Sequence, residues 1–139
     1  MKEKHPINIL LSDEYGECLK SREVQTISKT GGMRYNGAKA KLSVIPPELE
    51  EAVAQVLWAS AKENGGKYPM NNWKKGLPLT ETVDSALRHL KAFVHSKHEG
   101  DLDPESGLHH LKHAATNIAF LLHFIANEQY GELDDRYKK

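Results

Sequence analysis

Apolar positions fall into three stretches of helical spacing, separated by segments rich in glycine, asparagine and proline. The first begins at Pro46-Pro47, where Leu49, Val53, Val56, Leu57 and Ser60 repeat on one face until Asn64-Gly65-Gly66 stops the run. The second opens at Thr80, a side chain suited to capping, and carries Val83, Ala86, Leu87, Leu90 and Val94 as its apolar face until His98-Glu99-Gly100. For the third, Asp103 is the expected N-cap and Pro104 the first helical residue, and the helix is expected to run to about Gln129, before Gly131. Its apolar stripe is Leu111, Ile118, Leu122 and Ile125. Residues 1–40 show no long helical period, and Gly31-Gly32 and Asn36-Gly37 are turn signals. This pattern predicts an all-α fold: a small helical bundle with an irregular N-terminal arm over 1–40, a helical domain over 41–130 and a charged tail over 131–139. Residues 7–11 are a possible short strand with no obvious partner.

Composition narrows the function classes. A chain of 139 residues suits one domain whose core needs no metal or disulfide staple. Lys plus Arg equals Asp plus Glu, 19 each, so the global basic field that drives nonspecific nucleic-acid binding is absent and stable nucleic-acid binding is not expected. Cys18 stands alone, which excludes an intrachain disulfide framework and suits a reducing, cytoplasmic setting. No apolar run reaches the length of a membrane span, so no membrane partner is expected.

Each predicted helix also carries a polar stripe. On the third, His110, His113 and Asn117 fall within about 60° of one another at the α-helical repeat, bordering the apolar face, so they should be partly buried. The two histidines could be metal ligands, a general base or partners of carboxylates, and a structural pair explains them equally well. The second helix aligns Glu81, Asp84, Arg88, Lys91 and His95 opposite its apolar face. A solvated face with acids near the positive helix end accounts for that stripe. The chemical alternative is a divalent cation on the carboxylates beside a phosphate-gripping guanidinium. The first helix adds Glu48, Glu51, Gln55 and Lys62. Two antiparallel helices with such pairs could converge four carboxylates on one metal, whose charge would relieve their repulsion. The loop Asn71-Asn72-Trp73-Lys74-Lys75-Gly76 offers amides for a base edge, an indole for stacking and lysines for phosphate, or is a surface loop anchored by Trp73. Fingerprints of dinucleotide folds, P-loops, α/β-hydrolases and zinc proteases are missing.

Several blocks together resemble a known family: Tyr35-Asn36-Gly37-Ala38-Lys39, Leu42-Ser43-Val44-Ile45-Pro46-Pro47-Glu48, Ala61-Lys62, Asn72-Trp73-Lys74-Lys75-Gly76, Leu87-Arg88-His89-Leu90, and Asp103-Pro104-Glu105-Ser106-Gly107-Leu108 through His110, His113, Ala114, Ala115 and Asn117. Over about residues 34–125 the chain is similar to the phage dATP/dGTP diphosphohydrolases of the MazZ type, MazG-like all-α nucleotide pyrophosphohydrolases. The resemblance implies hydrolysis of a deoxypurine nucleoside triphosphate, dGTP or dATP, to the monophosphate and pyrophosphate with Mg²⁺ or Mn²⁺. It also implies a homodimer or homotetramer, and a place in the host cytoplasm if the chain is phage-encoded, where dGMP would supply synthesis of a 2-aminoadenine nucleotide. On it, Glu48, Glu51, Glu81, Asp84 and His110 are the expected metal ligands, with His113 or Glu51 activating water. Lys62, Lys74, Lys75 and Arg88 are the expected phosphate contacts, and Asn72, Trp73 and Asn117 the base contacts. The relatives carry carboxylates on the third helix where this chain has histidines, so His110 and His113 could share the metal role. The competing expectation is a noncatalytic helical adaptor or nucleotide-binding module whose polar stripes are merely solvated.

Overall fold

In the computed structural model the described residues are 25–35, 40–97, 99–127 and 130–136. The expected strand at 7–11 lies outside them. The chain divides at Ile45 and Pro46 into two units. In the first, β1 (Gln25–Ile27) pairs antiparallel with β2 (Met33–Tyr35), with Thr26 opposite Arg34. The arm expected to be irregular therefore contains a hairpin. Strands of three residues are too short to display a two-residue alternation, whereas the turn was legible: Gly31 sits at φ 87°, a conformation that favours glycine. Ser28 Oγ closes the turn by accepting from Gly32 N at 2.9 Å.

The second unit is helical, as the three apolar stretches required. α1 spans Pro47–Ser60, α2 Leu79–His95, α3 His110–Ala126 and a single-turn α4 Tyr130–Leu133. α3 is the central element, with α1 and α2 each packed on it. Each of the three helices buries a small side chain, Ala52 on α1, Ala86 on α2 and Ala114 on α3. Phe124 of α3 is fully buried, Leu79 of α2 and Tyr130 of α4 are also enclosed, and α4 packs on α3. No helix among the described residues is long and apolar enough to cross a membrane.

Three helix boundaries differ from expectation, each for a local reason. α1 ends at Ser60, and a 3₁₀ turn over Lys62–Asn64 carries the chain to Gly65. The chain folds back there so tightly that a Cβ on Gly66 would lie 2.3 Å from the Ser60 carbonyl carbon. α2 begins at Leu79, and Thr80 is not its cap. Instead Asp135 performs that function from 55 residues away, accepting from Thr80 N at 2.9 Å and from Thr80 Oγ1 at 2.6 Å. The contact satisfies an otherwise unpaired N-terminal amide and sets a carboxylate at the positive helix end. Asp135→Ala is expected to cost about 1 kcal/mol, lowering Tm by roughly 4 °C in a thermal melt; an unchanged Tm would contradict the cap. The third boundary is that of α3. It starts at His110 with His109 as cap, accepting from Leu111 N, rather than at Pro104. Asp103 caps a turn instead, because its Oδ2 accepts from Ser106 N at 2.9 Å, the same three-residue reach that an N-cap uses.

Candidate functional site

Because α1 and α2 both lean on α3, a wedge opens between them, a cavity of about 680 Å³. That volume lies within the range of small-molecule sites. Val56, Leu57 and Ser60 of α1 form one wall and Ser85 and His89 of α2 the other, with His113, Thr116, Asn117 and Phe120 of α3 as floor. The loop after α1 supplies the rim, including Lys67, Tyr68, Asn71, Asn72 and Trp73. Its ends are fixed by backbone pairing, with Tyr68 N donating to Ser60 O at 3.0 Å and Lys62 N to Tyr68 O at 2.7 Å. Lys67 and Glu105, both exposed, form an ion pair and both border the opening.

The α2–α3 segment brings the reactive end of the cavity together. Between the helices the chain doubles back on itself: Asp103 N donates to Leu108 O at 2.8 Å, Gly107 N to Asp103 O at 2.7 Å and His110 N to Asp101 O at 2.9 Å. Gly107 adopts φ 71°, which a side chain would strain. This loop delivers Asp103 and Ser106 to the start of α3, against His113. Ser106 Oγ donates to Asp103 Oδ2 at 2.9 Å and lies 2.6 Å from His113 Nε2. With the single hydroxyl proton on the carboxylate, His113 Nε2 must carry the hydrogen it shares with Ser106, leaving the basic lone pair of the neutral ring at Nδ1. Asp103 thus orients His113 through Ser106, since its own oxygen is 3.8 Å from Nε2. His89 stacks on His113 with ring centroids 4.5 Å apart, and its Nδ1 lies 2.9 Å from His110 Nδ1.

Electrostatics follow from this crowding. Burial, then the neighbouring His113, holds His89 below its ordinary pKa. Burial also lowers His113, with Asp103 opposing and His110 assisting. Burial pushes the Asp103 carboxyl up, but the Ser106 hydrogen bonds and nearby histidines outweigh it and leave the group below the usual range. A histidine whose folded pKa is depressed contributes stability that is present above the unfolded value near 6.5 and is lost as pH falls through the folded value. The metal-free chain is therefore expected to show a urea midpoint that falls on acidification below about pH 6.5, with the slope reduced in a His89→Gln, His113→Gln double variant. A slope unchanged by the double substitution would contradict this origin.

The residues singled out from sequence separate into two groups. His113, Asn117, Asn72 and Trp73 line the cavity, and His110 lies just behind it, buried against His89. Trp73 is a wall rather than an open platform, for its ring stacks on Phe120 at 4.6 Å and meets His123 edge-on at 4.8 Å. Glu48, Glu51, Glu81, Asp84, Lys62, Lys74, Lys75 and Arg88 are exposed and outside the cavity lining. Among the described residues none of the four carboxylates belongs to a group of three or more possible metal ligands. The metal-capable grouping is His89, Asp103 and His110, whose ligand atoms lie within 4.8 Å of one another. Its two imidazoles do not suit Mg²⁺. Sequence reasoning passed over His89, Ser106 and Lys67 and took Asp103 only as a cap. His89 was detectable by its spacing from Ala86 and Phe93 on α2.

The family described as dATP/dGTP diphosphohydrolase, N-terminal, matches residues 29–136. The chain belongs to this family. The resemblance to phage dATP/dGTP diphosphohydrolases seen over 34–125 is borne out at the level of that family, and the match takes in both units. The dATP/dGTP diphosphohydrolase of Salmonella phage PMBT28 is 35% identical over 105 residues, covering 76% of this chain and 33% of that protein. The chain thus spans about a third of the length of the curated relative it matches. No solved structure matches the chain.

Proposed function

We propose that the wedge between α1 and α2 is a deoxypurine nucleoside triphosphate site at which dGTP or dATP is hydrolysed to the monophosphate and pyrophosphate. The observation that carries this reading is the composition of one cavity: amides of Asn72 and Asn117 with the aromatic walls Trp73 and Phe120, continuous with the His113–Ser106–Asp103 chain. Family membership and the relative's name support the substrate class. In this reading Asn72 and Asn117 recognise the base edge, the aromatic wall excludes water from one side of it, and Lys67 meets a phosphate oxygen by leaving Glu105. His113, neutral near pH 7 because burial disfavours its charged form, takes a proton from the attacking water at Nδ1. Asp103 and Ser106 hold its tautomer, as a carboxylate orients imidazole in other hydrolases. Mg²⁺ or Mn²⁺ enters as part of the substrate, bound to the triphosphate, and no cage for it is needed on the acidic faces of α1 and α2. In a phage, the dGMP formed would serve synthesis of a modified purine nucleotide.

Assembly into a homodimer or homotetramer belongs to the same reading, supported by the exposed apolar row Leu111, Ile118 and Leu122 on α3. A noncatalytic nucleotide-binding module is the second reading, favoured by the chain's span of only 33% of the relative. Incubation with dGTP and dATP in the presence of Mg²⁺ or Mn²⁺, with chromatography of products, separates the two. Monophosphate and pyrophosphate support the enzyme, and saturable binding without turnover supports the module. Neither binding nor turnover overturns both.

A further inference from the structure

The His89–His110 pair has a geometry that hydrogen bonding alone leaves underused. Two Nδ1 atoms at 2.9 Å can share one proton, so one ring must be held as donor and the other as acceptor. The separation is close to what two imidazoles show when they bind one ion: bonds of about 2.1 Å place the nitrogens about 3.0 Å apart at the right angle of an octahedral ion and about 3.4 Å apart at a tetrahedral one, a shift of a few tenths of an ångström. Asp103 completes the set, with its Ser106 bonds both made through Oδ2 and its nearest ligand atom within 4.8 Å of the two nitrogens. His110 is buried and His89 and Asp103 face the cavity, so three protein donors sit at the inner end and further positions open toward it.

We propose that His89, Asp103 and His110 form a resident site for a divalent transition ion, of the Zn²⁺, Co²⁺ or Mn²⁺ class, distinct from any Mg²⁺ arriving on a nucleotide. Two nitrogens and one carboxylate favour such borderline ions and discriminate against Mg²⁺, which prefers oxygen and keeps its waters. Three ligands are the number that leaves a position for water or an anionic oxygen. The loop closed by Asp103, Leu108 and Gly107 positions the carboxylate before any ion binds, and Ser106 fixes its rotamer. The site stands on this geometry whether or not the cavity takes a nucleotide.

Titration of chelator-treated chain with Co²⁺, followed by visible ligand-field absorption, tests it without nucleotide. One equivalent is expected to bind per chain, to be displaced by Zn²⁺ and to be unaffected by a large excess of Mg²⁺. His89→Gln is expected to weaken Co²⁺ by at least the 10–100-fold known for loss of an outer-shell partner. His89 is only partly buried, so circular dichroism is expected to show His89→Gln folded, and Asp103→Asn, which keeps an acceptor for Ser106, gives the same loss by a second route. His95→Gln, at the exposed end of α2, is expected to bind like the parent. Absence of Co²⁺ and Zn²⁺ binding, or binding undiminished in both His89→Gln and Asp103→Asn, overturns the proposal.

Discussion

Replacing His113 with alanine is expected to lower kcat for dGTP by about 10²–10⁴-fold, while the nucleotide still binds and the far-ultraviolet spectrum is retained. The base is lost, but the amides of Asn72 and Asn117 and the Trp73–Phe120 wall remain. Ser106→Ala is expected to fall between parent and His113→Ala, since it frees the ring without removing it, and to alter the pH profile as the tautomer lock is released. Steady-state kinetics with separate kcat and KM distinguish these outcomes from a defect in binding. Asp84→Asn is the informative comparator. Asp84 is exposed on α2 and outside the cavity, so turnover that stops in Asp84→Asn but persists in His113→Ala would move the chemistry to the acidic faces.

Phe124→Ala is expected to destabilise the helical unit by about 3–5 kcal/mol, a large share of the 5–15 kcal/mol that a domain typically holds. The ring is completely enclosed, within 6.4 Å of the Trp73 and Phe120 centroids, so its removal leaves a cavity beneath the loop that carries Asn72. Nearby Leu122, half exposed on the opposite side of α3, provides the contrast, because its truncation removes little buried area. Urea denaturation of both variants checks this. Equal costs would show that the packing around Trp73 does not depend on Phe124. A secondary consequence is loss of nucleotide affinity in Phe124→Ala at temperatures where the helices still persist, as the cavity rim loses its support.

The fold was largely legible because helix periodicity is a local signal: Val83, Ala86, Leu87 and Leu90 mark α2 as clearly in sequence as in space. Where α3 starts was not, because Asp103 and Ser106 make the same amide-to-carboxylate bond whether a turn or a helix follows. The cap on α2 was hidden for a different reason, since Asp135 reaches Thr80 only through the tertiary fold. The site was half legible. His110, His113 and Asn117 are buried or partly buried as expected, but for a different reason: the stripe they border, Leu111, Ile118 and Leu122, is exposed, and the polar residues lie on the side of α3 that faces the cavity and α2. The acidic stripes illustrate the limit of spacing: Glu48 with Glu51 and Glu81 with Asp84 share faces on their own helices, yet among the described residues these side chains are exposed and join no group of three or more possible metal ligands. Ser106 and Lys67 carry no periodic signal, because each reaches the cavity from a loop.

The central claim is that this chain's own helical unit cleaves a deoxypurine triphosphate between its α and β phosphates. Phosphorus NMR of the purified chain with dGTP and Mg²⁺ tests it most directly. The account predicts that the triphosphate signals give way to dGMP and pyrophosphate, and that this conversion is absent in His113→Ala. Release of orthophosphate, or an unchanged triphosphate spectrum for both dGTP and dATP, would contradict it.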